Sequence, residues 1–151
     1  MNRRRGFTLV ELLVSMTVVG LLSAVAVPKY IDLKRRANTT RVIGDIQAVR
    51  VAVMTFFADS SYFPAEAGPG VVPPNMGKYL PIGFAFVTPQ WTIDYEHWDA
   101  GGQGADHASS LIGITIICTE DPLLGETTSR LLGNVPQVIS SPSFTFMISG
   151  L

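Results

Sequence analysis

The sequence predicts an α+β fold, in which a long N-terminal helix packs against a small antiparallel sheet. Three observations lead to this prediction. An apolar segment, 7–27, runs into a helical stripe of apolar residues that ends near residue 60. A stretch rich in proline and glycine, 61–83, separates the helix from the rest of the chain. Beyond it, short segments alternate apolar and polar residues, which is typical of strands.

Length and composition exclude several classes of protein. The chain has 151 residues, 47% of them apolar and 15% charged, which fits one folded domain and excludes disorder. A single cysteine, Cys118, excludes an intramolecular disulfide. The two histidines, His97 and His107, are too few to complete a structural zinc site with it.

Charge is unevenly distributed along the chain, although the formal net charge is only −1. Residues 1–50 carry nine basic and three acidic side chains, a balance of +6, and residues 51–151 carry a balance of −7. The pattern establishes no nucleic-acid partner, because no basic field covers the whole chain. It indicates instead that the two parts of the chain face different surroundings.

The segment 7–27 is long and apolar enough to cross a membrane as a helix. At about 1.5 Å per residue it extends for about 31 Å, close to the thickness of the hydrocarbon core of a bilayer. The basic group Arg3–Arg5 precedes it, which favours a cytoplasmic N-terminus and an exported remainder. Basic residues also follow the segment and weaken this bias.

Three simpler targeting functions also fit this segment. A secretory signal peptide cut after Ala24-Val25-Ala26 would release a soluble protein. An uncleaved single-pass anchor would keep the segment in the membrane. Arg4-Arg5-Gly6-Phe7 also contains part of a twin-arginine signal.

Glu11 is the one charged residue inside the apolar segment, and a carboxylate there costs about 2.5–3.5 kcal/mol on insertion scales. The segment contains no cation to pair with it, and Lys29 lies about 27 Å further along the helix. The partner must come from the preceding arginines, from another chain or from a new charge. Cleavage between Gly6 and Phe7 would create such a charge, since it frees an α-amine four residues before Glu11.

Residues 5–14, RGFTLVELLV, resemble the class III signal of type IV prepilins and pseudopilins. The resemblance implies that a membrane peptidase cuts after Gly6 and methylates Phe7, and that Glu11 sets the register of assembly. Pro28 and Tyr30 also fall where this family has a proline and a tyrosine. Many members carry a pair of cysteines near the C-terminus, and the lone Cys118 departs from that pattern.

The resemblance also implies a structural subunit of a pilus-like filament, not an enzyme, with no cofactor. The expected boundaries are a leader 1–6, a transmembrane and assembly helix 7–27, an amphipathic half 28–60 and a globular head 61–151. The implied partners are a prepilin peptidase, an inner-membrane assembly platform and further copies in a homo-oligomeric helical filament. The expected location is the inner membrane as a single-pass protein with a cytoplasmic N-terminus, and then a periplasmic or extracellular filament.

Two other functions stay open at this point. One is an exported or membrane-anchored binding domain that uses its N-terminus only for targeting and binds a ligand through Trp91, Tyr95 and Trp98. The other is an exported enzyme. The position of cleavage separates both from a filament subunit, because only the subunit is cut between Gly6 and Phe7.

The helical pattern resumes after Pro28, which predicts either a kink or two separate helices. Apolar residues then recur at spacings of three and four, and this stripe predicts the face that packs on the head. Its members are Val42, Ile46, Val49, Val53 and Phe56 with Phe57.

The head is expected to contain three or four strands and one short helix. Alternation predicts strands over 91–96, 111–118 and 144–149, and less strongly over 84–88. Asp121 and Pro122 predict the start of the short helix, and Gly133 predicts its end.

A group of acidic residues and histidines surrounds the glycine-rich loop 100–104 without the spacing of a known catalytic or metal motif. We therefore expect solvated side chains at Glu96, His97, Asp99, Asp106 and His107. Because some pseudopilins bind calcium in a C-terminal loop, the resemblance leaves a calcium site at Asp99 and Asp106 as a further hypothesis. No other metal is expected.

Overall fold

The computed structural model describes residues 7–99, 110–118, 120–133, 135, 137–140 and 142–148. Its elements in chain order are α1, Leu9–Ser60; β1, Trp91–Asp99; β2, Ser110–Cys118; α2, Pro122–Leu132; β3, Gln137–Ser140; and β4, Ser143–Met147. A short 3₁₀ turn, Gly77–Tyr79, lies between α1 and β1. One long helix with a small antiparallel sheet confirms the predicted α+β fold.

The chain divides into two compact units, Met1–Ala37 and Asn38–Leu151, and α1 contributes to both. In the first unit, every residue from 7 to 34 is exposed. Among the described residues, α1 is the one helix long and apolar enough to cross a membrane. Pro28 lies inside α1 with helical residues on both sides, so the alternative of two helices separated at this proline is wrong. A kink at Pro28 stays a prediction.

In the second unit, α1 packs on the head through the stripe that the spacing predicted. Its buried residues recur every three or four positions, and they are Thr39, Val42, Ile46, Val49, Ala52, Val53 and Phe56. The connection that follows adds three apolar side chains to the same core, from Phe63, Met76 and Phe86. The proline-rich segment is therefore irregular in backbone but well packed.

The sheet has the strand order β1-β2-β4-β3, and all its neighbouring strands are antiparallel. Alternate residues of the three longer strands point into the core, and they are Trp91, Ile93, Tyr95, Ile112, Ile114, Ile116, Phe144 and Phe146. The residues between them lie on the other face, which we call the outer face. There the hydroxyls of Thr115 and Thr145 are hydrogen-bonded at 2.8 Å.

The weaker strand prediction over 84–88 is wrong. This segment forms only an isolated bridge between Val87 and Thr92, next to a hydrogen bond of 2.7 Å from the Ile93 amide to the Phe86 carbonyl. The Ile93 carbonyl, which would continue the ladder, accepts instead from the Gly70 amide at 2.9 Å. The loop around Gly70 therefore occupies the edge of β1 that a longer strand would need.

Strand β3 was not predicted, because its four residues are too few to show an alternation. The pairing of Ile139 with Phe144 and of Ser140 with Ser143 makes it the edge of the sheet. Its existence depends on a partner strand and not on its own sequence pattern.

The short helix α2 has the predicted ends. The Asp121 carboxylate accepts from the Leu123 amide at 3.0 Å and Pro122 occupies the first turn, while Gly133 follows the helix with a φ of +67°. Gly125 is buried inside α2 against the Phe144 ring, and a Cβ at this position would overlap the ring atoms Cδ2 and Cε2. The glycine therefore sets how closely α2 approaches β4.

We expect Gly125→Ala to destabilise the head, although alanine is the better helix former by about 1 kcal/mol. Overpacking against Phe144 should lower the free energy of unfolding by about 1–3 kcal/mol. The matched control is Gly44→Ala in α1, where nothing lies within 4 Å of the added Cβ, so this change should be neutral or stabilising. Thermal unfolding of the full chain in detergent measures both. Equal unfolding midpoints for the two variants would contradict the packing role of Gly125.

Candidate functional site

The start of α1 holds the Glu11 carboxylate through hydrogen bonds within its own chain. The Thr8 backbone amide and the Thr8 hydroxyl donate to Glu11 Oε2 at 3.0 and 2.8 Å. In return, the Glu11 amide donates to the Thr8 hydroxyl oxygen at 3.2 Å. This reciprocal arrangement is a capping box, which satisfies backbone amides that have no helical partner at a helix start.

Sequence reasoning missed this capping box, although the pattern Thr8-x-x-Glu11 is its usual signal. The partner expected for the carboxylate was a cation, and its hydrogen-bond partners among the described residues are both groups of Thr8. The box supplies hydrogen bonds but no positive charge. The expectation of a charge partner from another chain therefore stays open.

The other predicted residues of this site are placed as follows. Phe7 precedes α1 and is 79% exposed, and Pro28 lies inside the helix. Gly6 lies outside the described residues. Cleavage and methylation at Gly6 and Phe7 stay predictions.

Beyond Glu11, the surface of α1 offers apolar contacts. Five residues at helical spacing line a shallow, mainly apolar groove of about 370 Å³, and they are Leu12, Ser15, Met16, Val19 and Gly20. An exposed apolar helix face is unfavourable in water and favourable in lipid or against another apolar helix. The carboxylate of Glu11 thus lies at one end of a surface suited to a dry environment.

The aromatic residues suggested as a binding face are mostly core residues. Trp91 is fully buried, its indole Nε1 donates to Asp45 Oδ2 at 3.1 Å, and Arg41 lies 5.6 Å from its ring centroid. Burial raises the pKa of Asp45, against the opposing effects of the Trp91 hydrogen bond and of Arg41. Tyr95 is also buried, whereas Trp98 is 39% exposed. The three rings therefore do not form one exposed surface.

Of the residues weighed as a metal or acid–base site, the structure describes the side chains of Glu96 and His97 only. Glu96 and His97 occupy opposite faces of β1, where the His97 ring meets Phe63 edge-on at 6.1 Å. Asp106 and His107 lie outside the described residues, as does the side chain of Asp99. The structure therefore does not test the calcium hypothesis at Asp99 and Asp106, and it stays a prediction. Within the described part of the chain, no group of three histidine, cysteine or acidic residues is arranged to hold a metal ion.

Cys118 ends β2 as a buried side chain, as its apolar neighbours predicted. Burial raises the pKa of its thiol, so the neutral form is favoured at neutral pH. A buried neutral thiol is a poor nucleophile and acts here as a small core side chain.

A cluster of carboxylates on the outer face was not recognised from the sequence. Asp94 and Glu96 lie two residues apart on β1 and so share a face, and the charge of Glu66 from the preceding loop acts on both. Burial raises the pKa of Asp94, and repulsion from Glu66 raises it further, against hydrogen bonds with Glu96 and with the Tyr95 backbone. Burial also raises the pKa of Glu96, and the negative charges of Asp94 and Glu66 raise it further. We call these three residues the acidic cluster.

We expect Glu96→Gln and Asp94→Asn to stabilise the head at pH 7. Because the folded state raises both pKa values, it binds more protons than the unfolded state, and stability falls as the pH rises through the raised values. Removing one charge should therefore raise the free energy of unfolding by up to about 1 kcal/mol at pH 7, and the gain should vanish below about pH 4. Thermal unfolding at both pH values measures the effect. Glu120→Gln, at an exposed position outside the cluster, is the control, and an equal gain there would contradict the repulsion.

Comparison with known proteins gives one match to a family model at the N-terminus and several longer matches to individual proteins. A model described as the prokaryotic N-terminal methylation motif matches residues 1–27. Type II secretion system core protein G of Dickeya chrysanthemi is 30% identical over 112 residues, which cover 68% of this chain and 73% of the relative. The core protein G of Klebsiella michiganensis is 32% identical over 110 residues, which cover 67% and 78%.

Fimbrial relatives match over a shorter length. Fimbrial protein Q of Moraxella bovis is 43% identical over 78 residues, which cover 52% of this chain and 43% of that protein. The chain thus spans less than half the length of this relative, and only 33% of a type IV major alpha-pilin from the same organism. No solved structure matches. The long matches to the two core proteins G and the methylation motif at the N-terminus show that the chain belongs to the family of type IV pilins and type II secretion pseudopilins.

Proposed function

We propose that this chain is a structural subunit of a type IV pilus-like filament, a pilin or a pseudopilin, which acts by assembly and not by catalysis. The relatives named fimbrial protein and type II secretion core protein G support this function. The observation that carries it is the position of Glu11, a carboxylate four residues after Phe7 at the start of an exposed apolar helix.

The capping box explains how a single copy tolerates this carboxylate. Two hydrogen bonds from Thr8 satisfy Glu11 Oε2, but they leave the negative charge uncompensated in an apolar environment. In the filament, the methylated amine of Phe7 on an adjacent copy supplies the missing positive charge. Because an unpaired charge is costly there, this pairing sets the axial register between copies.

Processing and location follow from the same segment. A prepilin peptidase removes residues 1–6, and the subunit waits in the inner membrane with its N-terminus on the cytoplasmic side. The basic group Arg3–Arg5 supports this orientation, since positive charge is retained on the cytoplasmic side. An inner-membrane platform then assembles the subunits into a periplasmic or extracellular filament, with apolar helices at the centre and heads outward. No cofactor takes part.

We expect Gly6→Leu to prevent removal of the leader, because the peptidase site accepts only a residue without a bulky side chain before Phe7. The intact mass of the chain recovered from its own membranes should then include residues 1–6. The unchanged chain should begin at Phe7 with one added methyl group. Gly20→Ala, where nothing lies within 4 Å of the added Cβ, should be processed normally.

Two results would contradict this assignment. Removal of the leader from Gly6→Leu would show that another protease acts here. An unchanged chain that begins at Val27, or that keeps Met1 despite an active prepilin peptidase, would replace the filament function by a binding domain with a targeting segment.

We expect Glu11→Gln and Glu11→Leu to be processed and inserted but to form no filaments. Glutamine can complete the capping box with Thr8 but carries no charge. This variant therefore distinguishes the role of Glu11 in capping the helix from its role in pairing two copies. Electron microscopy of sheared surface material measures filaments, and the intact mass confirms processing. Ser15→Ala, which removes only a hydrogen bond to the Glu11 carbonyl, is the control and should assemble. Normal filaments from Glu11→Gln would mean that the capping box suffices and that no charge pair sets the register.

A further inference from the structure

The helix α1 carries a group of exposed basic side chains immediately after the apolar segment 7–27. Its members are Lys29, Lys34 and Arg36, and all three belong to the first unit. They also follow Pro28, so a kink at this proline would not change their arrangement with respect to one another. At about 100° per residue, Lys29 and Arg36 lie on one side of the helix and Lys34 lies on another. We call these three residues the basic belt.

The one acidic residue in the same stretch of sequence, 28–36, already has a partner. The Oδ1 atom of Asp32 lies 3.4 Å from Nη1 of Arg35, which is three residues further along the helix. These two charges offset each other. The basic belt therefore gives the stretch a net charge of +3 next to the membrane-spanning segment.

The basic belt lies at the depth of the lipid headgroups when the apolar segment crosses a bilayer. Counted from the end of that segment at about 1.5 Å per residue, Lys29 lies about 3 Å beyond the hydrocarbon core, Lys34 about 10 Å and Arg36 about 14 Å. The headgroup layer is about 5–7 Å thick on each side of the core. Lys29 therefore lies inside this layer, and the other two residues lie just outside it.

The direction of the side chains brings the belt to the lipid phosphates from both sides. In an α-helix the Cα–Cβ bonds tilt towards the N-terminus, which is the membrane side here, so Lys34 and Arg36 reach back towards the headgroups. Lys29 reaches them from the hydrocarbon side, since a lysine buries its aliphatic stem and extends its ammonium into the polar layer. Tyr30, which is 68% exposed, is of a residue type enriched at this interface.

We propose that the basic belt binds the phosphate groups of anionic phospholipids in the leaflet on the exported side of the membrane. This inference rests on the proposed filament function, and it names the lipid partner of the subunit before assembly. Each basic side chain near an anionic surface adds to the attraction, which falls off within a Debye length. The contact holds the helix at a fixed depth, and with it the proposed cleavage site at Gly6 and Phe7 on the other side of the membrane.

The arrangement of the belt favours a lipid surface over a free phosphate ion. Its side chains start on different sides of the helix, and the first and last of them are about 10 Å apart along the axis. They therefore do not converge on one ion. A layer of headgroups surrounds the helix and can meet all three side chains at once.

The lipid preference of the reconstituted chain tests the contact. The full chain, purified from its own membranes, is placed in phosphatidylcholine vesicles with a trace of spin-labelled phosphatidylglycerol or spin-labelled phosphatidylcholine. Electron spin resonance measures the fraction of each labelled lipid that the protein immobilises. The unchanged chain should prefer phosphatidylglycerol by about fivefold or more, and about 0.5 M salt should weaken this preference.

The belt variant combines Lys29→Gln, Lys34→Gln and Arg36→Gln, and it should lower the preference by about fivefold or more. The reversal variant, with Lys29→Glu, Lys34→Glu and Arg36→Glu, should lower it further, because like charges then face the phosphates. A conservative variant, Lys29→Arg with Lys34→Arg, keeps the charge and should keep the preference. Any leader arginines that remain are the same in every variant and do not affect the comparison.

The matched control removes the same amount of positive charge from the second unit. It combines Arg50→Gln, Lys78→Gln and Arg130→Gln, which are exposed positions outside the basic belt. This variant should keep the preference of the unchanged chain. An immobilised fraction of labelled phosphatidylcholine in every variant confirms that each one is inserted in the vesicles.

Three results would overturn the lipid contact. They are an unchanged preference in the belt variant, an equal loss in the control, and release of labelled phosphatidylglycerol by inorganic phosphate but not by chloride of equal ionic strength. The last result would place a phosphate ion at the helix instead of a lipid. Electron microscopy of filaments separates this test from that of the proposed function. A chain that shows the preference but forms no filaments supports the lipid contact and contradicts the filament, and a chain with filaments but no preference does the reverse.

Discussion

The packing of α1 on the sheet is the interaction on which the rest of the head depends. A stripe with helical spacing, from Val42 to Phe56, covers the inner side chains of the three longer strands. Neither face could be exposed to water alone, since each is almost entirely apolar. Because this contact buries the two inner faces, only the outer face of α1 and the outer face of the sheet lie outside this core.

In the first unit, the apolar side chains of α1 are exposed and not buried against a sheet. Over residues 9–27, α1 is apolar on all sides apart from Glu11, and every residue there is exposed, which is stable only in lipid or among other apolar helices. Glu11 is the exception in this surface, and the capping box with Thr8 lets the carboxylate serve the helix start before any partner arrives. One residue can therefore stabilise a single copy through hydrogen bonds and specify its assembly through charge.

Charge on the head is organised by the same layers. The acidic cluster belongs to the outer face of β1 because Asp94 and Glu96 alternate with core residues. Arg50 belongs to the outer face of α1 for the same reason, one residue after the buried Val49. The fold thus places the acidic cluster and Arg50 on different layers of the head.

The sequence by itself determined the periodic segments of this protein, the ends of its short helix and its N-terminal signal. The apolar segment, the stripe from Val42, the two long strands and both ends of α2 are local patterns, and each was correctly predicted. The prepilin signal around Gly6, Phe7 and Glu11 was also recognised from a run of adjacent residues, and the family comparison agrees with it. Local rules suffice where one segment alone sets the conformation.

Only the tertiary structure decided what depends on pairs of distant segments. It placed the Gly70 loop where a strand over 84–88 was expected, and it formed β3 on β4. It packed Gly125 of α2 against the Phe144 ring, and it brought the charge of Glu66 to act on Asp94 and Glu96. The reason is physical: hydrogen bonds at a strand edge, close packing and charge repulsion depend on distances that no sequence spacing specifies.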